Sequence, residues 1–274
     1  MDLNTISEIA KPSRREDLKA WMLGDAFLAG GTWLFSEPQP KLRRLIDLTG
    51  FEWPSIIATE EGLHISATCT LAQLDSFTFP KNWSAAPLIS QCCRSLYGSF
   101  KIWNTATVGG NICMALPAGP MTSLTVALDG ACTTWTPDGH ERHLAVADVV
   151  VGPQQNSLLP GEILHSIALP VEALTCRTAF RQISLTPYGR SAALVIGTLS
   201  RQGALALTIT AATRRPIKLW FSDIPSAFAL RERIESAIPR GEFFSDVHGT
   251  PEWRRHMTFR FADEIRHELS GPGS

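Results

Sequence analysis

An α+β fold in two parts is predicted by three features of the sequence. The chain has 274 residues, of which 44% are hydrophobic, so it can form a sizeable core and two domains. Helix and strand signals are mixed without the regular βαβ order of a parallel α/β sheet. Near residue 175 the signals change to successive strands followed by helices. We therefore expect a larger domain over residues 1–172 and a smaller α+β domain over residues 173–274.

The first domain opens with one predicted helix and several short strands. Ser13 and Glu16 have the spacing of a capping box and Gly24 provides a stop, so a helix is expected across this stretch. Apolar runs bounded by turn residues indicate short strands, of which the last two form a hairpin. These strands are predicted at residues 26–29, 45–48, 56–59 and 63–67.

Further helices and a second hairpin complete the first domain. Thr70 and Gln73 form another capping box and predict a short helix. Longer segments with helical periodicity are found at residues 85–96 and 121–128. A hairpin turn is predicted at Pro137-Asp138-Gly139, and a later strand is closed by Pro170. The strands concerned span residues 131–136, 141–146 and 162–169.

The second domain is predicted to be an antiparallel sheet of three strands with two helices. The strands are expected at residues 178–185, 192–200 and 204–210. One helix covers residues 225–238, and the other begins after the N-cap Thr250, with Pro251 at its first position. The second helix carries an apolar stripe that should pack on the sheet. Its members are Trp253, Met257, Phe261, Ile265 and Leu269.

Two double-glycine segments are the strongest functional signal. They read Leu28-Ala29-Gly30-Gly31-Thr32 and Ala106-Thr107-Val108-Gly109-Gly110-Asn111. Glycine permits positive φ and close backbone approach, so two such turns can hold a pyrophosphate between their N–H groups. The Thr32 and Thr107 hydroxyls and the Asn111 amide add hydrogen-bonding groups. The sequence has no G-x-G-x-x-G, G-x-x-x-x-G-K-[ST] or G-x-S-x-G motif, which argues against the ordinary dinucleotide, P-loop and hydrolase sites.

Composition excludes several other classes of function. The formal net charge is -1, so no overall field favours nucleic acid or an anionic membrane. No apolar run is long enough to span a bilayer, and the start of the chain lacks the pattern of a secretory signal, so we expect a cytoplasmic protein. Scattered cysteines and histidines lack the spacing of metal ligands, and no metal site is expected. The cysteines are Cys69, Cys92, Cys93, Cys113, Cys132 and Cys176.

Several motifs together resemble the FAD-binding subunit of the molybdenum hydroxylases, the family of xanthine dehydrogenase and carbon monoxide dehydrogenase. They are Ala29-Gly30-Gly31-Thr32, the stretch from Gly98-Ser99 to Gly109-Gly110-Asn111, Leu116-Pro117-Ala118-Gly119 and Pro160-Gly161-Glu162-Ile163-Leu164. The resemblance covers nearly the whole chain. It implies an FAD-binding domain related to the vanillyl-alcohol-oxidase and MurB flavoproteins, followed by a smaller α+β domain. Where Pro120 stands, relatives often carry an Asp that contacts the cofactor.

The resemblance also implies which residues contact FAD. Segments Leu28–Leu34 and Thr107–Asn111 would surround the pyrophosphate and ribityl parts, Tyr97 and Leu164 would lie near the rings, and Arg181 near the flavin. From the residues alone, Tyr97 also fits a helix end, and Arg181 fits a solvated strand position or an ion pair. For Leu164, a core position in a strand is the commoner role. The full set of implied residues is Leu28, Ala29, Gly30, Gly31, Thr32, Trp33, Leu34, Tyr97, Thr107, Gly109, Gly110, Asn111, Leu164 and Arg181.

Three functional hypotheses follow. The resemblance favours an electron-transfer subunit that takes electrons from a small two-iron two-sulfur subunit, beside a large molybdopterin subunit, and passes them from FAD to an external acceptor. No catalytic residue of this chain is predicted. The second hypothesis is a free-standing FAD-dependent oxidase or reductase with its own small-molecule substrate. The third is a scaffold without FAD, which has no physical need for two anion-binding glycine segments.

Overall fold

A small parallel sheet leads into the first glycine segment. In the computed structural model, which describes residues 3–18 and 20–271, strands β1 (Glu8–Ala10) and β2 (Asp25–Leu28) both pair with β3 (Arg44–Asp47). The two short strands predicted at residues 26–29 and 45–48 are therefore confirmed within one residue. The last residue of β2 directly precedes Ala29 and the glycine pair.

The prediction of a helix from Ser13 to Gly24 is wrong. The described residues of this stretch form only a 3-10 turn, Arg15–Asp17, and Lys19 lies outside the described residues. The capping carboxylate is that of Asp17, which accepts hydrogen bonds from the N–H groups of Ser13 and Arg14 at 3.3 and 3.0 Å. Such a local turn offers the backbone an alternative to a longer helix.

A buried ion pair fixes the two strands beside the glycine segment. Arg44 Nε donates to Asp25 Oδ1 at 2.9 Å, and the two side chains are only 4% and 2% exposed. A second nitrogen of the guanidinium bonds to Oδ2 and to the carbonyl of Ala20. These hydrogen bonds hold the pKa of Asp25 below its ordinary value. Removing either partner would leave a buried charge uncompensated, so the pair constrains how β2 and β3 can lie.

The middle of the chain forms an antiparallel sheet and a small separate hairpin. The strands of this part are β4 (Ile56–Ala58), β5 (Gly62–Ser66), β6 (Ala131–Trp135), β7 (Glu141–Ala145), β8 (Val150–Gly152), β9 (Gln155–Asn156) and β10 (Ile163–Pro170). The sheet has the strand order β4-β5-β10-β6-β7, and β8 and β9 form the small hairpin. The hairpin of β4 and β5 and the hairpin of β6 and β7 were both predicted, and both are confirmed.

Short helices surround this sheet. The Thr70 capping box is present, because its hydroxyl accepts from the N–H of Gln73 and the Gln73 side chain accepts from the N–H of Thr70. The predicted helix at residues 85–96 is confirmed with shorter bounds, and the one at residues 121–128 is confirmed with a shift of one residue. The helices are α1 (Leu71–Ser76), α2 (Ala86–Arg94), α3 (Phe100–Trp103), α4 (Val108–Cys113), α5 (Pro120–Ala127), α6 (Val146–Val149) and α7 (Val171–Leu174).

The C-terminal sheet has four strands in the described part of the chain, where three were predicted. The order is β11 (Arg177–Ile183), β12 (Ala193–Leu199), β13 (Leu205–Thr210) and β14 (Ile217–Phe221), all antiparallel. The additional edge strand, β14, buries Leu219 and exposes Trp220, the alternation of a strand with one covered face. Helices α8 (Ala227–Ala237) and α9 (Pro251–Ser270) complete this part, with Thr250 as the N-cap of α9.

Strand β12 lies between two hydrophobic cores. Leu194 and Ile196 on one face pack into the core of the antiparallel sheet and its helices. Val195 on the other face packs with the stripe of α9. Because neighbouring side chains of a strand point to opposite faces, one strand joins both cores. The stripe packs on the sheet as predicted, with Met257, Phe261, Ile265 and Leu269 buried.

Hydrogen bonds also tie the C-terminal sheet to α5 and the segment before it. Ala211 N donates to Pro117 O at 2.7 Å, and the hydroxyls of Ser123 and Thr210 lie 2.6 Å apart. Lys218 Nζ donates to the carbonyl of Ala127 at 3.0 Å, near the end of α5. These contacts place the loops of the C-terminal sheet beside the glycine segments. Within the described residues, no helix is long and apolar enough to cross a membrane.

Candidate functional site

A cavity of about 870 Å³ opens between the two glycine segments and the loops of the C-terminal sheet. Its volume is in the range of cofactor pockets. The cavity brings together most of the residues predicted to contact a cofactor. Those that line it are Ala29, Gly30, Gly31, Thr32, Trp33, Leu34, Tyr97, Thr107, Gly109, Gly110, Asn111 and Leu164.

The first glycine segment presents free backbone donors. A Cβ on Gly30 would overlap the carbonyl of Thr105, and Gly31 has φ +68° with the Phe35 ring against its bare side. Both positions therefore require glycine for contacts within the chain. The N–H groups of Gly30, Gly31 and Thr32 bond to no acceptor among the described residues. These backbone groups can therefore receive an anion.

The second glycine segment differs from the loop that was predicted. Val108–Cys113 is the helix α4, and the N-cap Thr107 accepts from Gly110 N at 3.1 Å. Val108 N donates to Cys69 O at 2.8 Å, and Gly109 N donates to Ala67 O at 3.0 Å. The prediction that both segments offer backbone amides to an anion is wrong for this one, because these N–H groups already have acceptors within the chain.

What α4 offers the cavity is space and one side-chain amide. Within 4 Å, a Cβ on Gly110 would meet only the hydroxyl of Thr107, at 2.8 Å. Asn111 Oδ1 accepts from Met121 N at 3.0 Å, and its Nδ2 bonds to no acceptor among the described residues. The bare Gly110 thus permits close approach of a ligand, and Asn111 supplies a donor.

Two groups of side chains form much of the remaining wall. Near Gly161, Trp21 lies against Phe27 with a ring centroid distance of 4.8 Å, and the strand residue Leu164 is buried beside the cavity. Elsewhere, Tyr97 meets Tyr188 edge to face at 6.3 Å. The second group also includes Arg190, Ser191 and His248.

Two ionisable groups of the wall, Glu162 and Cys113, are constrained by their surroundings. Glu162 is 3% exposed and accepts hydrogen bonds from Arg142 and from Leu159 N, each at 2.7 Å. Burial raises the pKa of Cys113 to about 12, so this thiol stays protonated at neutral pH. Neither group is therefore suited to act as a free base or nucleophile.

Two of the predicted residues are not among those that line the cavity. Leu28 supports the glycine segment from behind, 3.0 Å from where a Cβ on Gly31 would lie. Arg181 pairs with Glu264 at 2.9 Å and with Glu268 at 2.7 Å, both on α9. This placement is the ion pair that the residue type alone also allowed.

Arg190 is the cation that the fold brings to the cavity instead. It is exposed, and no carboxylate in the described part of the chain pairs with it. Sequence reasoning missed Arg190, Ser191 and His248, because they follow the glycine segments by many residues. Arg190 and Ser191 lie in the loop between β11 and β12, and His248 lies just before α9. The turn residues Pro187 and Gly189 beside Tyr188 were the only local signal.

Comparison with known proteins gives consistent results. Residues 11–172 match the family described as "FAD binding domain in molybdopterin dehydrogenase". The chain is 30% identical over 117 residues to xanthine dehydrogenase of Oryza sativa subsp. japonica, and 31% identical over 101 residues to caffeine dehydrogenase subunit beta of Pseudomonas sp. strain CBB1. These matches cover 40% and 37% of this chain, but only 8% and 34% of the relatives.

A solved structure shares the fold over nearly the whole chain. The structure of quinoline 2-oxidoreductase from Pseudomonas putida 86 superposes with a TM-score of 0.79 at 18% identity, covering 98% of each chain. At this identity, the likeness concerns the fold.

The residues of the cavity fit FAD. Free N–H groups of the first glycine segment suit its pyrophosphate, the open face of Gly110 leaves room for its chain, and the aromatic groups suit its rings. The N–H groups that would face the phosphates are neutral donors. Among the described residues of the wall, Glu162 is the one acidic side chain, and its charge is paired with that of Arg142.

We predict that Gly110→Val weakens FAD binding at least tenfold, because the branched side chain enters the open part of the cavity. The loss of the Thr107 cap contributes about 1 kcal/mol of destabilisation, which leaves the fold intact. FAD affinity and thermal unfolding of the flavin-free chain measure the two effects separately.

Gly241→Val is the matched control, because nothing lies within 4 Å of a Cβ at that position and its φ is not positive. It should leave FAD affinity unchanged. An unaltered FAD affinity in Gly110→Val would show that the ligand does not approach α4.

Proposed function

This chain belongs to the family of FAD-binding domains of molybdopterin dehydrogenases, and we propose that it is the electron-transfer subunit of a molybdenum-containing hydroxylase or dehydrogenase. The observation that carries the proposal is the glycine-lined cavity, which has free donors for a dinucleotide, while its buried carboxylate, Glu162, is paired with Arg142. A chain of this kind binds and positions a flavin and leaves substrate chemistry to other chains.

The proposed partners are a small chain with two-iron two-sulfur clusters and a large chain with molybdopterin. Bound FAD accepts electrons singly and releases them in pairs, which suits a position between iron–sulfur clusters and an external acceptor. Caffeine dehydrogenase subunit beta, to which this chain is similar, is by name one subunit of a larger enzyme. No cluster-binding cysteine spacing occurs here, so the clusters would belong to another chain.

The cavity suggests how the cofactor lies. We place the pyrophosphate on the N–H groups of Gly30, Gly31 and Thr32, which have no other acceptor in the described chain. The apolar wall around Trp21 and Phe27 suits the adenine. The isoalloxazine then lies toward Tyr97, Tyr188 and Arg190, at the side formed by the C-terminal sheet.

Exposed apolar side chains near Tyr97 suit a partner chain that covers this side. Tyr188 is 86% exposed and Phe100, close in sequence to Tyr97, is 73% exposed, while Leu185 lies in the same loop as Tyr188. Of these side chains, Tyr188 packs against Tyr97, and large apolar groups exposed at a surface commonly mark an interface. A partner docked here would bring its electron donor to the flavin.

Finer parts of the assignment are proposals on the same basis. We propose a domain boundary between residues 172 and 173, a relation of the first domain to the vanillyl-alcohol-oxidase and MurB flavoproteins, and a cytoplasmic location. The boundary is supported by β11, which begins the C-terminal sheet at Arg177.

The alternative is a free-standing FAD oxidase or reductase that acts on its own substrate. It would need an acid or base at the flavin, and His248 is the lining side chain best suited to that role. The apolar surface around Tyr188 favours the subunit over this alternative, because a free enzyme gains nothing from leaving it uncovered.

We predict that affinity-tagged chain isolated from its own cells brings down two further chains, one with two-iron two-sulfur clusters and one with molybdopterin. The measurement is the metal, sulfide, pterin and flavin content of each separated chain. Flavin is expected on the tagged chain. A chain that purifies alone with FAD and oxidises a small molecule by itself would support the alternative.

We predict that Arg190→Gln makes the midpoint potential of the bound flavin more negative by about 5–20 mV. A positive charge near the flavin stabilises the negative charge of its reduced form, and an exposed charge contributes about 0.2–1 kcal/mol.

Arg181→Gln is the matched control, since its guanidinium is held by Glu264 and Glu268 outside the cavity. Potentiometry of both variants distinguishes the two arginines. A shift in Arg181→Gln alone would place the flavin near β11 and contradict the proposed orientation.

A further inference from the structure

The hydroxyl of Thr122 is buried without a hydrogen-bond partner. The residue is 3% exposed, and its Oγ1 is the one buried side-chain oxygen or nitrogen in the described chain that lacks a partner. An unsatisfied buried hydroxyl is costly and rare in folded proteins. The hydroxyls of the neighbouring Ser123 and Thr125 are both bonded, so the lack of a partner is specific to this position.

The unpaired hydroxyl lies behind a part of the cavity wall that has no side chain. Gly119 is the N-cap of α5 and lines the cavity, and it has no side chain that could cap the helix. A Cβ on Gly119 would lie 3.4 Å from Thr122 Oγ1, 3.1 Å from Asn111 Oδ1 and 3.0 Å from Leu116 O. Three oxygens are therefore grouped around the bare face of this glycine.

The chemistry of these oxygens selects a neutral hydroxyl as the ligand group. Asn111 Oδ1 and Leu116 O already accept one hydrogen bond each, from Met121 N and Gly119 N, and each retains acceptor capacity. The Thr122 hydroxyl can donate or accept. Pro120, which follows Gly119, has neither an N–H nor a polar side chain to offer. A phosphate would face acceptors here, whereas a polyol can donate to them.

We propose that Thr122 completes a hydroxyl-binding subsite for the polyol chain of the cofactor, which approaches over the bare face of Gly119. The proposal rests on the proposed binding of FAD, whose ribityl chain is such a polyol. Thr122 is then a binding residue whose hydroxyl is unsatisfied only while the cavity lacks its ligand. A hydroxyl of the polyol would supply the partner that Thr122 lacks within the chain.

The test is Thr122→Val, which keeps the shape of the side chain and removes the hydroxyl. In the flavin-free chain, the unfolding midpoint should stay the same or rise by about 2–4 °C, because an unsatisfied group has been removed. The dissociation constant for FAD should rise about 3- to 10-fold, the loss of one hydrogen bond. Thr122→Ser, which retains the hydroxyl, should bind FAD within about twofold of the parent chain.

Thr125→Val is the matched control in the same helix. Its hydroxyl donates to Met121 O at 2.7 Å and is not among the three atoms nearest the bare face of Gly119, so the variant should unfold at lower temperature with unchanged FAD affinity. ADP, which has the adenine and pyrophosphate but no ribityl chain, is the second probe. The affinity for ADP is measured by its competition with FAD, and we expect it to be the same in Thr122→Val and in the parent chain.

Three results would overturn the proposal. Destabilisation of flavin-free Thr122→Val like that of Thr125→Val would mean that the hydroxyl has a partner within the chain, such as the carbonyl of Ala118 one helical turn earlier. An FAD affinity within twofold of the parent would mean that the hydroxyl does not serve the ligand. Equal losses for FAD and ADP would place the effect outside the polyol chain. A parent chain that binds no FAD would instead refute the proposed function.

Discussion

The approach of Gly30 to the carbonyl of Thr105 is the contact on which the site depends. No other residue fits, because a Cβ there would overlap the carbonyl oxygen. The contact joins the end of the parallel sheet, held by the buried pair of Arg44 and Asp25, to the segment that leads into α4. The cavity exists because two distant parts of the chain meet backbone to backbone.

The two glycine segments consequently have different roles. Gly30, Gly31 and Thr32 leave their N–H groups without acceptors among the described residues, whereas Val108 and Gly109 donate theirs to neighbouring backbone. The first segment can therefore bind an anion. Helix α4 permits close approach of a ligand at Gly110, which has no side chain. The C-terminal sheet, fixed through β12 and α5, then closes the cavity with Tyr188 and Arg190.

Patterns local in sequence were predictable and pairings across the chain were not. Both hairpins, the Thr70 capping box and the stripe of α9 were read from short-range periodicity and turn chemistry. Around Ser13 the capping pattern misled, because Asp17 closes a local turn instead. Arg181 and Glu264 are 83 residues apart, so no local pattern could show that their pairing leaves Arg190 as the cation at the cavity.

The structure of the chain with FAD bound tests the central claim most directly. Our account predicts pyrophosphate oxygens about 2.7–3.2 Å from the N–H groups of the first glycine segment. It also predicts that Val108 N and Gly109 N keep their bonds to Cys69 O and Ala67 O. Phosphates bound to the N–H groups of α4, with those two bonds broken, would contradict it, as would FAD bound outside the cavity.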